Sequence, residues 1–275
     1  MLKLRRQIIL RIKTFFKESL LKLGLNVCFL TSSELIDEFL RKCYPVTTNI
    51  ELIRIGGNTD GGYLVPDDLD GIEACFSPGV AETASFEIEM ATRGIKSYLA
   101  DYSVAGPPVQ NDLFYFEKKF LGNRNTDIFM TLDNWVNRNF ENRESDFVLQ
   151  MDIEGWEWDV LLEASQETLN RFRIIVIEFH GLISLTDRYG YKVINATFNK
   201  LLKSHAIVHI HPNNISPPMT IGGFSIPTTM EYTFLRRDRI KYSSNTTVFP
   251  HILDFACIPR LKDFKLPKCW YAHKS

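Results

Sequence analysis

The sequence predicts a mostly parallel, doubly wound α/β sheet, on three observations. From residue 71 onward, short apolar runs alternate with segments of helical length. Two of those runs, at 147–149 and 174–177, are apolar without a break, as central strands covered on both faces are. Acids or a histidine stand where the runs end: Asp101, Asp152, Glu178 and His180. Strands alternating with helices specify such a sheet. Its ligands bind beyond the carboxyl ends of the strands, near the point where strand order reverses.

Taken in order, residues 2–24 are predicted helical, because Leu4, Ile8, Ile12, Phe15, Phe16, Leu20 and Leu23 recur at helical spacing. A helix over 33–43 is introduced by Thr31-x-x-Glu34, a capping-box pattern, and ended by Pro45. Two glycine pairs in "RIGGNTDGGY" mark turns, and Tyr63-Leu64-Val65 reads as a short strand. Strands follow at 71–76 and 95–101, separated by a helix at 82–93. Next come a helix at 111–121, a short strand at 127–131 and a helix at 132–140. The strand at 146–152, the helix at 156–170 and the strand at 172–180 form the middle of the pattern. A helix at 190–204 leads to strands at 206–211 and 231–237. These last two have no helix between them, which predicts an antiparallel pair at one edge. The expected organisation is an N-terminal helical segment (1–45), one α/β domain (46–245) and an irregular tail (246–275) containing Pro250, Pro259 and Pro267.

The 275 residues are 45% hydrophobic and 24% charged, ordinary for a soluble protein with a sizeable core. A net charge of −1 offers no global attraction to nucleic acid. Residues 1–25 carry seven basic residues against Glu18 alone, a net +6, which leaves −7 on the rest. A basic amphipathic helix either packs on the body or lies on an anionic membrane surface. The five cysteines are scattered without a C-x-x-C pair, so a reducing cytoplasm fits better than a disulfide or zinc framework. No run approaches the ~20 apolar residues of a spanning helix.

The strand ends supply the candidate site. Gly79 follows the first strand, and Asp101, with Tyr102 beside it, follows the second about twenty residues later. A glycine where backbone approaches a ligand, with an acid for ribose hydroxyls, is a nucleoside-binding pattern. It lacks the three glycines of a pyrophosphate turn, which disfavours dinucleotides and leaves room for S-adenosylmethionine. Asp152, Glu154 and Gly155 follow the fourth strand; Glu178 and His180 end the fifth; His209, His211, Asn213 and Asn214 end the sixth.

The chain resembles the FkbM family of S-adenosylmethionine-dependent methyltransferases over roughly residues 50–240. The likeness is carried by "DGGY" (60–63), "FSPGVAETASFE" (76–87), "YLADYS" (98–103), "LQMDIEGWEWDVLLEAS" (149–165) and "IIVIEFHGL" (174–182). The resemblance implies a class I methyltransferase fold with a seven-stranded sheet. It also implies S-adenosylmethionine as donor and a sugar or glycan hydroxyl as acceptor. By position it places Gly79 and Glu82 in the cofactor loop, Asp101 at the ribose, and Asp152 at the boundary between cofactor and acceptor. The family's first loop is more often glycine-rich; Pro78 and Ala81 stand here instead.

A sugar hydroxyl is a weak nucleophile, so its proton must be removed by a base or a metal must assist. His180, Glu154 and His211 are the candidate bases. Asp60 and Tyr63 are candidates to fold over cofactor or acceptor. Asp152 and Glu178, with Glu154, could offer hard oxygen ligands to a divalent metal, although nothing in their spacing demands one. Glu157 and Asp159 read as helix-start charges, Asn213 and Asn214 as turn residues, and Trp156 and Trp158 as packing residues. The expected function is O-methylation of a saccharide or glycolipid in surface polysaccharide or glycolipid synthesis. The expected location is cytoplasmic, at the inner face of the membrane through residues 1–25. A non-catalytic S-adenosylmethionine- or nucleoside-binding protein is the alternative.

Overall fold

The computed structural model describes residues 11, 14–24, 29–80 and 83–272. Its centre is a seven-stranded sheet, with strands numbered here in chain order. They are β1 Ile72–Pro78, β2 Lys96–Ala100, β3 Phe114–Glu117, β4 Asp146–Met151, β5 Phe172–Phe179, β6 His205–Pro212 and β7 Met230–Arg236. Their spatial order is β3-β2-β1-β4-β5-β7-β6. Strands β1 to β5 pair in parallel, and β7 runs antiparallel to both β5 and β6. This is the expected Rossmann-like, mostly parallel seven-stranded sheet with its antiparallel edge. Winding reverses direction between β1 and β4, so the switch point lies where those two strands end.

The apolar runs fill two cores. Phe76, Leu149, Ile175 and Ile177 face one; Cys75, Val148, Ile174 and Val176 face the other, because successive strand side chains point to opposite faces. The first core is closed by α1 (Ser33–Lys42), α3 (Leu132–Asn139), α4 (Glu157–Glu163), α5 (Gln166–Asn170) and α6 (Arg188–Leu201). The second is closed by α2 (Ser85–Thr92) and by the hairpin of Leu52–Ile55 with Tyr63–Pro66.

Three local expectations are corrected. The segment 111–121 is not a helix: Phe114–Glu117 forms β3, in parallel register with β2. Aromatic residues favour a pleated surface, and β2 would otherwise leave a bare row of backbone groups at the sheet edge. The helix expected at 156–170 is two, because Ala164 leaves helical geometry (ψ 136°) and Ser165 caps α5. The capping box expected at Thr31 is also displaced, since Ser32 rather than Thr31 accepts the Leu35 amide at the start of α1. The stripe of residues 2–24 lies partly outside the described residues. Where described, residues 14–22 are helical, and Phe15, Phe16, Leu21 and Leu23 are exposed, so this part does not pack on the body.

Residues 246–272 carry one short 3-10 turn, Lys268–Trp270, yet they are not a loose end. Cys257, Leu266 and Trp270 are buried. Asn214 pins the segment by accepting from the Ile258 amide at 2.8 Å and donating to the Ile258 carbonyl at 3.0 Å. No described helix is long and apolar enough to cross a membrane.

Candidate active site

β1 and β4 end side by side. A Cβ on Gly79 would lie 1.8 Å from the Asp152 carbonyl oxygen, and the residue has φ +92°. Only glycine fits, and the close approach is between two strand ends rather than between backbone and ligand. Beside this joint opens a cavity of about 660 Å³ lined by Asp60, Tyr63, Gly79, Asp101, Asp152 and Glu154, a size suited to a small-molecule site.

Asp101 continues from β2 into the cavity wall, and its Oδ1 accepts from Ser103 N at 2.7 Å and Ser103 Oγ at 2.6 Å. Phe120, Phe129 and Trp156 also line the cavity. Their rings form a row with centroids 5.8 and 5.4 Å apart, extended by Tyr102 at 5.5 Å from Phe120. Ser77 Oγ sits between Glu87 and Gln150, which line the same space. Burial pushes the Glu87 carboxyl above its ordinary range.

The acidic side is built around Glu157. After β4 the chain turns through Ile153, Glu154 and Gly155 into α4. Glu154 has φ +56°, the single non-glycine residue in the left-handed region among those described, a costly conformation that a surrounding frame must hold. Glu157 supplies the frame: its Oε1 accepts from Ile153 N at 3.0 Å and Gly155 N at 3.1 Å. The same oxygen meets His180 Nδ1 at 3.2 Å. Trp158 Nε1 donates to the His180 carbonyl at 2.9 Å while its ring stacks on Phe179. With Nδ1 held, His180 Nε2 looks toward Glu154 Oε2 (3.5 Å), Glu178 Oε1 (3.7 Å) and Asp152 Oδ1 (3.9 Å). Burial pulls the imidazole down, but Glu157, then Asp152 and Glu154, outweigh it and raise its pKa. Burial pushes Asp152 up to about 7, with His180 opposing and Glu154 reinforcing the shift.

Residues 109–204 match the family model of the methyltransferase FkbM domain. Over this stretch, about a third of its length, the chain is similar to the methyltransferase FkbM domain. No curated protein matches the chain in sequence. The match runs from just before β3 to just past α6. It therefore includes Asp152, Glu154, Glu157, Glu178 and His180, and leaves Gly79 and Asp101 outside it.

The structure brings together Asp60, Tyr63, Gly79, Asp101, Asp152 and Glu154 at the cavity, with His180 against its acidic side. Tyr102 reaches the rim only through its contact with Phe120. Glu82 lies outside the described residues. His211 does not reach the cavity. It is buried beyond Glu231, with Nδ1 3.7 Å from Glu231 Oε2 and Nε2 3.6 Å from Asp263 Oδ2. Burial would lower its pKa, but Asp263 and Glu231 hold it at about 10, and an imidazolium at neutral pH is no base.

Sequence reasoning set Glu157 aside as a helix-start charge; it is fully buried and orients the histidine. Asp159 stays at the surface. Asn213 makes its turn through Ile215 N, and its amide also donates to Glu178 Oε1 at 2.8 Å. Trp156 is half exposed on the cavity wall rather than packed inside, whereas Trp158 packs as expected. Glu231 and Cys257 were not singled out; a carboxylate on the last strand and a thiol in the tail have no local sequence signal.

Proposed function

We propose that the chain is an S-adenosylmethionine-dependent O-methyltransferase acting on a sugar or glycan hydroxyl. The observation that carries this reading is the Glu157–His180 pair at the switch point, which presents Nε2 beside Asp152 at the edge of the cavity. Asp101 is placed for ribose hydroxyls, and the Phe120–Phe129–Trp156 row for a flat heterocycle. The acidic end suits a cationic ligand, with Asp152 nearest the joint. The residues present therefore fit the cofactor. When bound, S-adenosylmethionine supplies an electrophilic methyl group, displaced from sulfur by the acceptor oxygen with S-adenosylhomocysteine as the leaving product.

The chain's own part is positioning and proton removal. His180 accepts the hydroxyl proton at Nε2 while Glu157 keeps Nδ1 protonated and steadies the imidazolium that forms. Glu154, at the mouth of the cavity, supports that charge from 3.5 Å. Holding the oxygen in line with the methyl carbon is the larger share of the rate gain. The exposed Phe15, Phe16, Leu21 and Leu23, beside Lys17 and Lys22, support docking on an anionic membrane next to a lipid-linked acceptor. That setting fits surface polysaccharide or glycolipid synthesis at the cytoplasmic face.

Calorimetry with S-adenosylmethionine and S-adenosylhomocysteine tests the cofactor. Heat and a raised melting temperature are expected; neither with either compound would sink the reading. Binding without transfer of labelled methyl to any saccharide or glycolipid would leave the non-catalytic alternative standing. For the membrane contact, flotation of residues 1–25 fused to a soluble reporter should show salt-sensitive binding to anionic liposomes, and its absence removes that part.

A further inference from the structure

Glu178 and Glu231 face each other across β5 and β7. Glu231 is answered from the tail and from β6: Cys257 Sγ donates to its Oε1 at 3.0 Å, and His211 Nδ1 lies 3.7 Å from its Oε2. Glu178 is answered by half. Asn213 holds Oε1, while Oε2 is buried without a hydrogen-bond partner. Asp152 Oδ1 is likewise buried and unpartnered. A third orphan points the same way: Tyr63, 2% exposed, has no partner for its hydroxyl, which faces the charges of Asp152, Glu178, Glu231 and Asp60. No lysine or arginine among the described residues forms an ion pair with Asp60, Asp152 or Glu178.

One oxygen each from Asp60, Asp152 and Glu178 lie within 4.8 Å of one another. Ligand oxygens on one Mg²⁺ or Ca²⁺ sit about 2.0–2.6 Å from the ion, so two of them are at most about 4–5 Å apart. The spacing is thus that of a shared coordination shell. The donors are all hard oxygens, which favours Mg²⁺, Ca²⁺ or Mn²⁺ over softer metals. The geometry points to a divalent cation site formed by Asp60, Asp152 and Glu178, with the Tyr63 hydroxyl turned toward the ion's remaining shell. Two features make it a built site rather than a surface cluster. Asn213 fixes the Glu178 carboxylate from behind, leaving the other oxygen free to bind. Arg54 braces the loop that carries Asp60 by donating to the carbonyls of Gly57 and Thr59. His180 Nε2 is 3.7 Å from Glu178 Oε1 and 3.9 Å from Asp152 Oδ1, so the ion would sit on the acceptor side of the cavity. The site stands whether or not the chain transfers methyl groups.

The test is an electron paramagnetic resonance titration of the full chain with Mn²⁺ after EDTA treatment, without S-adenosylmethionine. One Mn²⁺ per chain is expected, displaced by excess Mg²⁺ or Ca²⁺. Glu178→Gln and Asp60→Asn should each weaken binding at least tenfold while retaining the circular dichroism of the wild type. Should Glu178→Gln fail to fold, Asp60→Asn decides the matter, since Asp60 lies on an exposed loop. No stoichiometric binding by the wild type overturns the proposal. So does binding that neither folded variant weakens, which would mark an adventitious ion only. The calorimetric test with S-adenosylmethionine is read separately, so either result can fail alone.

Discussion

The two ends of the central sheet treat charge in opposite ways, although the same strands build both. At the amino end of β4, Asp146 lies between Arg173 of β5, at 2.7 Å, and Arg236 of β7, at 2.5 Å. Burial pushes Asp146 up, but the two arginines outweigh it and hold it below the usual carboxylate range. Arg173 also donates to the carbonyls of Asp68 and Asp70, and Arg239 grips the Asp68 carboxylate. At the carboxyl end, β4 leads into Asp152, β5 carries Glu178 and β7 carries Glu231, with no arginine or lysine among the described residues paired to any of them. The contrast recurs within β6. His205, bonded to the Phe172 carbonyl at 2.7 Å, is driven by burial to a pKa of about 4, whereas His211 is held at about 10. Charge is closed off by arginines at the amino end and left without such partners, among the described residues, at the carboxyl end.

The comparison can be broken at either end. The largest effect is expected at the carboxyl end: His180→Ala should cut turnover by roughly 10²–10⁴, the usual span for losing a general base, while calorimetry shows S-adenosylmethionine binding intact. Asp101→Ala should do the reverse and weaken that binding about tenfold or more, as loss of a charge-assisted hydrogen bond does. Unchanged turnover in the first variant would remove His180 as the base.

At the amino end, Arg173→Met should cost about 3–5 kcal/mol in denaturant unfolding, because it takes one of two arginines from half-buried Asp146 and the donor from the Asp68 and Asp70 carbonyls. A loss under 1 kcal/mol would mean that Arg236 alone suffices.

His205 gives the pH arm. Its folded pKa lies below the unfolded value of 6.5, so the unfolded chain takes the proton first. The contribution is complete above pH 6.5 and is lost as pH falls through 4. That predicts a loss of about 3 kcal/mol across the window, absent from His205→Gln. Parallel stability–pH curves for the two proteins would contradict it. The smallest effect has the opposite sign. Without divalent cations, Glu178→Gln should stabilise the protein by about 1 kcal/mol, since it removes a carboxyl that burial, then Asp152 and Glu231, push well above its ordinary range. A destabilised variant in EDTA would show that Glu178 is already satisfied.

What the sequence made legible follows the same division. The runs at 147–149 and 174–177 announced central strands because burial on both faces leaves no other composition. Asp101, Asp152, Glu178 and His180 were readable because a strand end is a place that the fold class itself marks. β3 was hidden because Leu113, Phe116 and Phe120 fall three and four apart, a helical spacing, and only the open edge of β2 decides against it. Glu157 was hidden because its burial depends on His180, more than twenty residues away. The tail's share, through Cys257 and Asp263, depends on contacts with β7 and β6 that no local pattern announces.

Gly79 then takes on a meaning beyond cofactor approach. It is the joint at which the two halves of the sheet meet more closely than any side chain would allow. Asp101 belongs to one half and His180 to the other, so on the proposed roles this single contact would set the span between the acid for the ribose and the base for the acceptor. A methyl group at position 79 would act as a shim. It would leave each half furnished with its residues while pushing the acceptor oxygen out of line with the carbon it must reach.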